Sequence, residues 1–260
     1  MYLSRLERFR GALLGAELGY RLSRSPDAAP VWMGEAQREA IARWVRGEDG
    51  DRAVWSETPL FGVWLMALLF HDDSHRLRDA VDELLKPPPS QRSEVLGMAL
   101  TAAAAIGDRL DLDFLAETFA QQHLDPESEL TPLRQRLEGR PTREADESLL
   151  SRVLYAVLSC GGNWPLAVAR LRGWERHRTR ACILAGGLCG AWRTRVSLGA
   201  VFRASLDNGE DLDAAAWLLW QRWAGRLEFQ PWDGRDRIAW GPPGTLRPRR
   251  SRRSQPPRLR

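Results

Sequence analysis

The sequence predicts an all-α fold arranged as a single multi-helix bundle. Apolar residues recur at intervals of three and four along most of the chain, as Leu6, Phe9, Leu13 and Ala16 do in the first segment. No segment shows a convincing strand-like alternation, and no repeat of about 20–50 residues indicates a solenoid. With 43% hydrophobic residues in 260, the chain is large enough to form one extensive core.

Capping residues and prolines set the predicted helix boundaries. The segment Pro59–Phe70 is apolar on nearly every side, which is typical of a buried central helix. Asp72, Asp73 and Ser74 are good caps for the next helix, which ends at Leu85 before "KPPPS". The other predicted helices are, in chain order, Leu3–Leu18, Glu35–Arg46, Ser93–Ile106, Leu112–Gln122, Glu129–Leu137, Glu144–Ser159, Pro165–Leu171, Arg178–Trp192, a short segment at Leu198–Ala204, and Leu212–Trp223.

The helical pattern ends at about Glu228, so we predict a helical domain over residues 1–228 and a C-terminal extension over 229–260. The last segment, Thr245–Arg260, holds seven arginines and no acidic residue, and we predict that it is a disordered tail. The net charge of +4 becomes −3 when these seven charges are subtracted, so the predicted body of the protein is mildly acidic.

Composition also predicts where the protein acts. Cys182 and Cys189 lie two helical turns apart, about 10 Å, which is too far for a disulfide, and reduced cysteines are typical of an intracellular protein. The N-terminal segment has no signal-peptide pattern, and the apolar runs are shorter than the roughly 20 residues that span a bilayer. We therefore expect a soluble cytoplasmic protein.

Glycines form a stripe on each of two predicted helices. Gly11, Gly15 and Gly19 are four residues apart, and Gly186 and Gly190 repeat that spacing late in the chain. Residues four apart share one helix face, and a face without Cβ atoms lets another backbone approach closely. We predict that the two helices are neighbours at the centre of the bundle; the alternative is two unrelated flexible helices.

Both glycine segments resemble the ADP-ribosylglycohydrolase family. The segment "FRGALLGAELG" is similar to the family's opening F-x-G-A-x-x-G-A-x-x-G-D, and "RACILAGGLCGAW", preceded by "NWPLAVARL", is similar to its closing G-D-x-D-T-x-A-A-I-A-G-A-x-x-G-A. The resemblance covers roughly Leu3–Leu227. It implies an orthogonal all-α bundle whose central helix carries the late glycines.

The resemblance also implies which residues would bind the family's two magnesium ions, and most of those positions are changed. Aligning the late glycines puts His177 and Thr179 at the two aspartates and Arg180 at the threonine. In "WSETP", Ser56 matches the threonine of the family's T-D-D, Glu57 its first aspartate and Thr58 its second. The early G-D is Gly19-Tyr20. Magnesium prefers carboxylate oxygens, so we predict that this metal site has been lost.

Four basic or ionisable residues open the late glycine helix: Arg176, His177, Arg178 and Arg180. Backbone N–H groups at a helix start favour phosphate, and arginines add bidentate contacts, so one interpretation is a cleft for a phosphorylated ligand. The alternative is that these side chains pair internally with carboxylates such as Glu175 or Glu57.

Other motifs have structural explanations that we prefer. The run "FHDDSH" resembles a metal site but is typical of helix caps, and "LDNGEDLD" lacks the glutamate that closes a calcium loop. Cys160 has no evident histidine partner. Trp217, Trp220 and Trp223, spaced by three, are more typical of a core or an interface than of a stacking platform.

The sequence thus predicts a non-catalytic relative of the ADP-ribosylglycohydrolases that binds a protein partner or a phosphorylated small ligand. Its candidate cleft residues are Tyr20, Ser56, Glu57, Thr58, His177, Arg178, Thr179 and Arg180. We expect no metal or other cofactor. One alternative is a divergent hydrolase that removes ADP-ribose, with Glu57 as the catalytic candidate and magnesium as its cofactor. Another is association with nucleic acid or an anionic surface through the arginine tail.

Overall fold

The computed structural model of the chain describes residues 2–23, 33–45, 59–140, 148–174, 177–199, 206 and 208–225. These residues form eleven α-helices and contain no β-strand, which confirms the all-α prediction. The helices are α1 (Tyr2–Ser23), α2 (Glu35–Val45), α3 (Pro59–Phe70), α4 (Ser74–Ala80), α5 (Pro89–Gly107), α6 (Leu112–Gln121), α7 (Pro126–Leu137), α8 (Leu149–Ser159), α9 (Trp164–Leu171), α10 (Arg178–Arg193) and α11 (Gly209–Trp223). Buried residues from all eleven form one continuous core. The predicted C-terminal extension and arginine tail lie outside the described residues.

The two glycine-striped helices, α1 and α10, pack against each other as predicted. A Cβ atom added at Gly11 would meet the carbonyl of Gly190, one at Gly15 that of Gly186, and one at Gly19 that of Cys182. Each distance is well inside the 3.0 Å that real Cβ atoms essentially never cross. The partners descend along α10 as the glycines ascend along α1, so the helices are antiparallel.

A third glycine of α10 has a different neighbour. A Cβ atom at Gly187 would collide with the indole ring of Trp64 on α3, and Trp64 itself is completely buried. Helix α3 is buried along its whole described length from Leu60 to Phe70, as its apolar sequence predicts. The glycines of α10 therefore accommodate a backbone on one side and a tryptophan on another.

Five of the helices have an N-cap side chain that accepts a hydrogen bond from a backbone N–H group of the first turn. Asp73 accepts a hydrogen bond from the backbone N–H of Arg76 at 3.1 Å, which confirms the capping interpretation of "FHDDSH". The other caps that accept such a bond are Asp111 for α6, Asp125 for α7, Ser148 for α8 and Asn163 for α9.

Several predicted boundaries were wrong, and proline explains two of them. Helix α5 begins at Pro89 rather than Ser93, and α7 begins at Pro126 rather than Glu129, because proline is favourable in the first turn, where its missing N–H has no helical partner. Helix α8 begins after Ser148, whose backbone is extended, and residues 144–147, where the predicted helix starts, lie outside the described residues. A 3₁₀ turn occupies Arg195–Leu198, and most of the short helix predicted over Leu198–Ala204 lies outside the described residues.

Arg8 anchors the N-terminal half of α1 to the ends of two other helices. Near its start, Arg8 donates to the carbonyls of Ala191 at 3.0 Å and Trp192 at 2.9 Å, which end α10, and to that of Ala105 near the end of α5. The Arg8 guanidinium also pairs with Asp108 at 2.7 Å. One side chain thus satisfies the last carbonyls of two helices, where a positive charge is also favourable.

His71, the residue after α3, is packed against aromatic rings. The His71 ring centroid lies 4.9 Å from that of Trp223 on α11 and 5.7 Å from that of Phe9 on α1. Its Nδ1 donates to the carbonyl of Leu68, while its buried Nε2 has no hydrogen-bond partner among the described residues. Burial and the nearby Arg5 guanidinium lower the pKa of His71 to about 4.

We predict that Gly15→Ala lowers the free energy of unfolding by about 3 kcal/mol or more, because the added methyl group meets the Gly186 backbone inside a rigid helix pair. Chemical denaturation measures this. Gly107→Ala is the matched control: a Cβ atom there meets nothing within 4 Å, and the change should be neutral or stabilising by up to about 1 kcal/mol. Equal effects of the two substitutions would contradict the close packing of α1 and α10.

We also predict a pH dependence that comes from His71. The unfolded chain takes up this proton as the pH falls through about 6.5, whereas the folded state does so only near pH 4. The free energy of unfolding should therefore decrease between these pH values, by up to about 3 kcal/mol from this group. Denaturation of the protein and of its His71→Gln variant across this range should show the smaller decrease in the variant; parallel curves would argue against a buried neutral His71.

Candidate functional site

The C-terminal part of α1, which carries Tyr20, lies beside the first turns of α10, where the sequence predicts a cleft. Because Gly19 contacts the Cys182 backbone, the C-terminal turn of α1 lies beside the first turns of α10. His177 immediately precedes α10, and Arg178, Thr179 and Arg180 form its first turn; all four are half-buried. Ser56, Glu57 and Thr58 lie outside the described residues, so the structure does not test whether they join this group.

One arginine of this first turn has a carboxylate partner. The Arg180 guanidinium donates to Glu94 on α5 at 3.0 Å, and each side chain is about one-third exposed (39% and 33%). Internal pairing, one of the two interpretations of the basic cluster, therefore holds for Arg180. The partner differs from Glu57 and Glu175, which lie outside the described residues. An ion pair with this exposure contributes only about 1 kcal/mol or less.

His177 is positioned by an aromatic contact. The His177 ring lies edge-on to Trp174, with the centroids 5.1 Å apart, and the guanidinium of Arg152 lies 4.7 Å from the Trp174 ring centroid. His177 makes no side-chain cap to α10, and the first turn of this helix has no acidic residue. His177 thus leaves the first N–H groups of α10 without its own side-chain cap, and Arg178 adds a positive charge beside them, an arrangement that favours an anion.

The cysteines near this group are poor nucleophiles. Burial raises the pKa of the Cys182 thiol to about 11, although Arg172 and Arg178 act in the opposite direction. Burial also raises the pKa of Cys189. All three cysteines are free thiols, and only Cys160 is partly exposed. A thiol that stays protonated at neutral pH does not support covalent catalysis at the start of α10.

The described residues at the start of α10 do not fit a pair of magnesium ions. The predicted site positions offer a phenol, an imidazole, a hydroxyl and two guanidinium groups, and the carboxylate of Glu94 is paired with Arg180, whereas Mg²⁺ requires several hard oxygen ligands, usually carboxylates. Arg178 and Arg180 would repel the cation. Within the part of the chain that the structure describes, no group of three or more His, Cys, Asp or Glu side chains lies close enough to hold a metal ion.

Sequence reasoning missed a buried carboxylate on α1. Glu17 is completely buried, pairs with Arg21 at 2.9 Å and accepts a hydrogen bond from the Met33 backbone N–H at 3.4 Å. Arg21 in turn donates to Asn208 at 3.2 Å. This cluster joins the end of α1 to the residues that precede α2 and α11. The available signal was that Glu17 is the only charged residue between Gly11 and Tyr20, on a helix predicted to be central.

Other proteins do not identify the site. Comparisons of the chain with family models, curated proteins and solved structures find no match. The assignment to the ADP-ribosylglycohydrolase family therefore stays a prediction. None of the helices among the described residues is long and apolar enough to cross a membrane.

The pair of Arg180 and Glu94 is expected to be weak enough for Arg180 to exchange partners. A double-mutant cycle with Arg180→Gln and Glu94→Gln should give a coupling free energy of about 0.2–1 kcal/mol that decreases as salt is added. Denaturation of the four proteins at low and high ionic strength measures it. A coupling above about 2 kcal/mol, unaffected by salt, would mark the pair as structural and remove Arg180 from the candidate site.

Proposed function

We propose that this chain is a non-catalytic relative of the ADP-ribosylglycohydrolases that acts by binding an anionic ligand or a protein partner. The observation that carries the proposal is the chemistry at the start of α10. The positions that the resemblance assigns to magnesium-binding aspartates and their threonine are His177, Thr179 and Arg180. Arg180 pairs with Glu94, and His177 contacts Trp174.

The packing of α1 and α10 supports the fold part of the proposal. The resemblance rests on two glycine segments that are far apart in sequence, and their glycines meet backbone to backbone in the structure. Contact between these segments is expected if both belong to the central helix pair that the resemblance implies. Tyr20, at the position of the family's early aspartate, follows Gly19, whose backbone meets the second turn of α10.

The charges at this end of α10 support the binding part of the proposal. A phosphorylated ligand can accept hydrogen bonds from the first N–H groups of α10 and bidentate hydrogen bonds from Arg178 and Arg180 without a metal ion. Hydrolysis of a glycosidic bond requires in addition a group that activates water. Tyr20, His177 and Thr179 provide no carboxylate for this step.

We predict that ADP-ribose binds to the purified chain without magnesium, and that magnesium does not change the affinity. Arg178→Gln should weaken this binding about tenfold, since a charge-assisted hydrogen bond is lost. Arg78→Gln is the matched control, because Arg78 lies on α4 and pairs with its neighbour Asp79 at 3.2 Å. Titration calorimetry of the three proteins, each with and without magnesium, measures these affinities.

The alternatives give different results in the same preparation. Magnesium-dependent release of free ADP-ribose, lost in Glu57→Gln, would establish a hydrolase and overturn the proposal. Affinity for nucleic acid that falls steeply with salt and disappears on removal of residues 245–260 would assign the activity to the arginine tail. A defined protein that co-purifies with the chain after the tail is removed would identify a protein partner rather than a small ligand.

A further inference from the structure

Two of the three cysteines lie where the end of α8 meets α10. Cys160 is the residue that ends α8 and is partly exposed, whereas Cys189 is completely buried in the second half of α10. We infer that these two cysteines form a redox-active pair, which a peroxide converts into a disulfide between the two helices. None of the residues at the start of α10 takes part, so the pair is independent of the proposed function.

Contacts next to both cysteines hold the end of α8 against α10. The carbonyl of Gly161 accepts a hydrogen bond from Nε of Arg193 at 2.9 Å. A Cβ atom added at Gly162 would lie 2.8 Å from Cγ of the same arginine. Cys160 directly precedes these two glycines, and Cys189 lies four residues before Arg193, on the same face of α10. The two thiols therefore lie beside one helix contact.

The buried face of α8 continues into Cys160. Val153, Ala156 and Val157 are buried, and Cys160 follows Ala156 and Val157 at intervals of four and three, so its side chain lies on the same face of the helix. The electrostatics of the second thiol agree with this placement. Burial, and after it the negative charge of an ionised Cys160, raise the pKa of the Cys189 thiol. Because such an effect weakens with distance, it indicates that the two thiols are neighbours.

The third cysteine, Cys182, is not a suitable partner for Cys189. The two lie seven residues apart on one helix, about 10 Å, whereas a disulfide requires Cα atoms about 4.4–6.8 Å apart. Cys160 is better placed because the end of α8 can adjust to that geometry. It is followed by Gly161 and Gly162, whose φ angles are 57° and 74°, and glycine has the backbone freedom that such a turn requires.

The different exposure of the two thiols assigns their roles. Hydrogen peroxide reaches Cys160, transfers one oxygen atom to its sulfur to form a sulfenic acid, and leaves as water. The sulfur of Cys189 then attacks the Cys160 sulfur: the S–S bond forms, the S–O bond breaks, and the hydroxyl group leaves with the Cys189 proton as a second water. Overall, the two thiols lose two electrons, which the peroxide accepts. Burial keeps Cys189 protonated and protects it from direct oxidation.

Peroxide treatment of the purified, reduced full chain tests the inference. After a small molar excess of hydrogen peroxide, the remaining thiols are alkylated in denaturant, and the chain is digested without reduction for mass spectrometry. We expect the loss of two of the three thiols, a peptide pair linked through Cys160 and Cys189, and recovery of all three thiols with dithiothreitol. Cys182→Ser is the matched control and should leave this disulfide unchanged, whereas Cys160→Ser should leave the Cys189 thiol intact.

A sulfenic acid trap distinguishes a pair from an ordinary exposed thiol. Dimedone should label Cys160 more strongly in Cys189→Ala than in the unsubstituted chain, because Cys189 otherwise removes the sulfenic acid. Peptide mapping of the unsubstituted chain decides the question even if this buried substitution prevents folding. Four results would overturn the inference: retention of all three thiols, sulfinic or sulfonic acid at Cys160 with Cys189 still alkylated, a disulfide through Cys182, or equal loss of the Cys189 thiol in Cys160→Ser.

Discussion

The close contact between α1 and α10 is the constraint on which the rest of the structure depends. No side chain separates the two backbones where Gly11, Gly15 and Gly19 face α10, so dispersion contacts form directly between main-chain atoms. Each interior glycine costs about 1 kcal/mol of helix propensity relative to alanine, and the close packing offsets that cost. The pair forms the centre of the bundle, and α3 approaches it through the gap that Gly187 leaves for Trp64.

The polar side chains of α1 secure this pair at both ends. Arg8 satisfies the carbonyls at the end of α10, and Glu17 connects the other end of α1 to the residues before α2 and α11. Arg8 and Glu17 both lie on the central helix α1, and burying them is tolerated because each has hydrogen-bonded partners. The antiparallel arrangement then determines which residues meet at the start of α10, because Tyr20 follows the last glycine of the stripe.

Aromatic rings contact guanidinium and imidazole groups between α7 and the start of α10. Trp174 contacts both Arg152, on α8, and His177, which precedes α10. Tyr155 has the same relation to Arg136 and Arg170. Ring contacts orient a guanidinium, and Arg136 and Arg152 make further interactions besides these ring contacts.

The sequence by itself determined the helices and the central pair. Hydrophobic periodicity, helix capping and glycine spacing each depend on residues within three or four positions of one another in the sequence. The helix Pro59–Phe70, the cap at Asp73 and the two glycine stripes were therefore predictable. Only the tertiary structure decided which charges meet. Glu94 and Arg180, which form an ion pair, are 86 positions apart. Such partners depend on how the helices pack, which a local sequence pattern does not reveal. The burial of Glu17 was missed for the same reason, since Met33 and Asn208, which lie in its cluster, come from other parts of the chain.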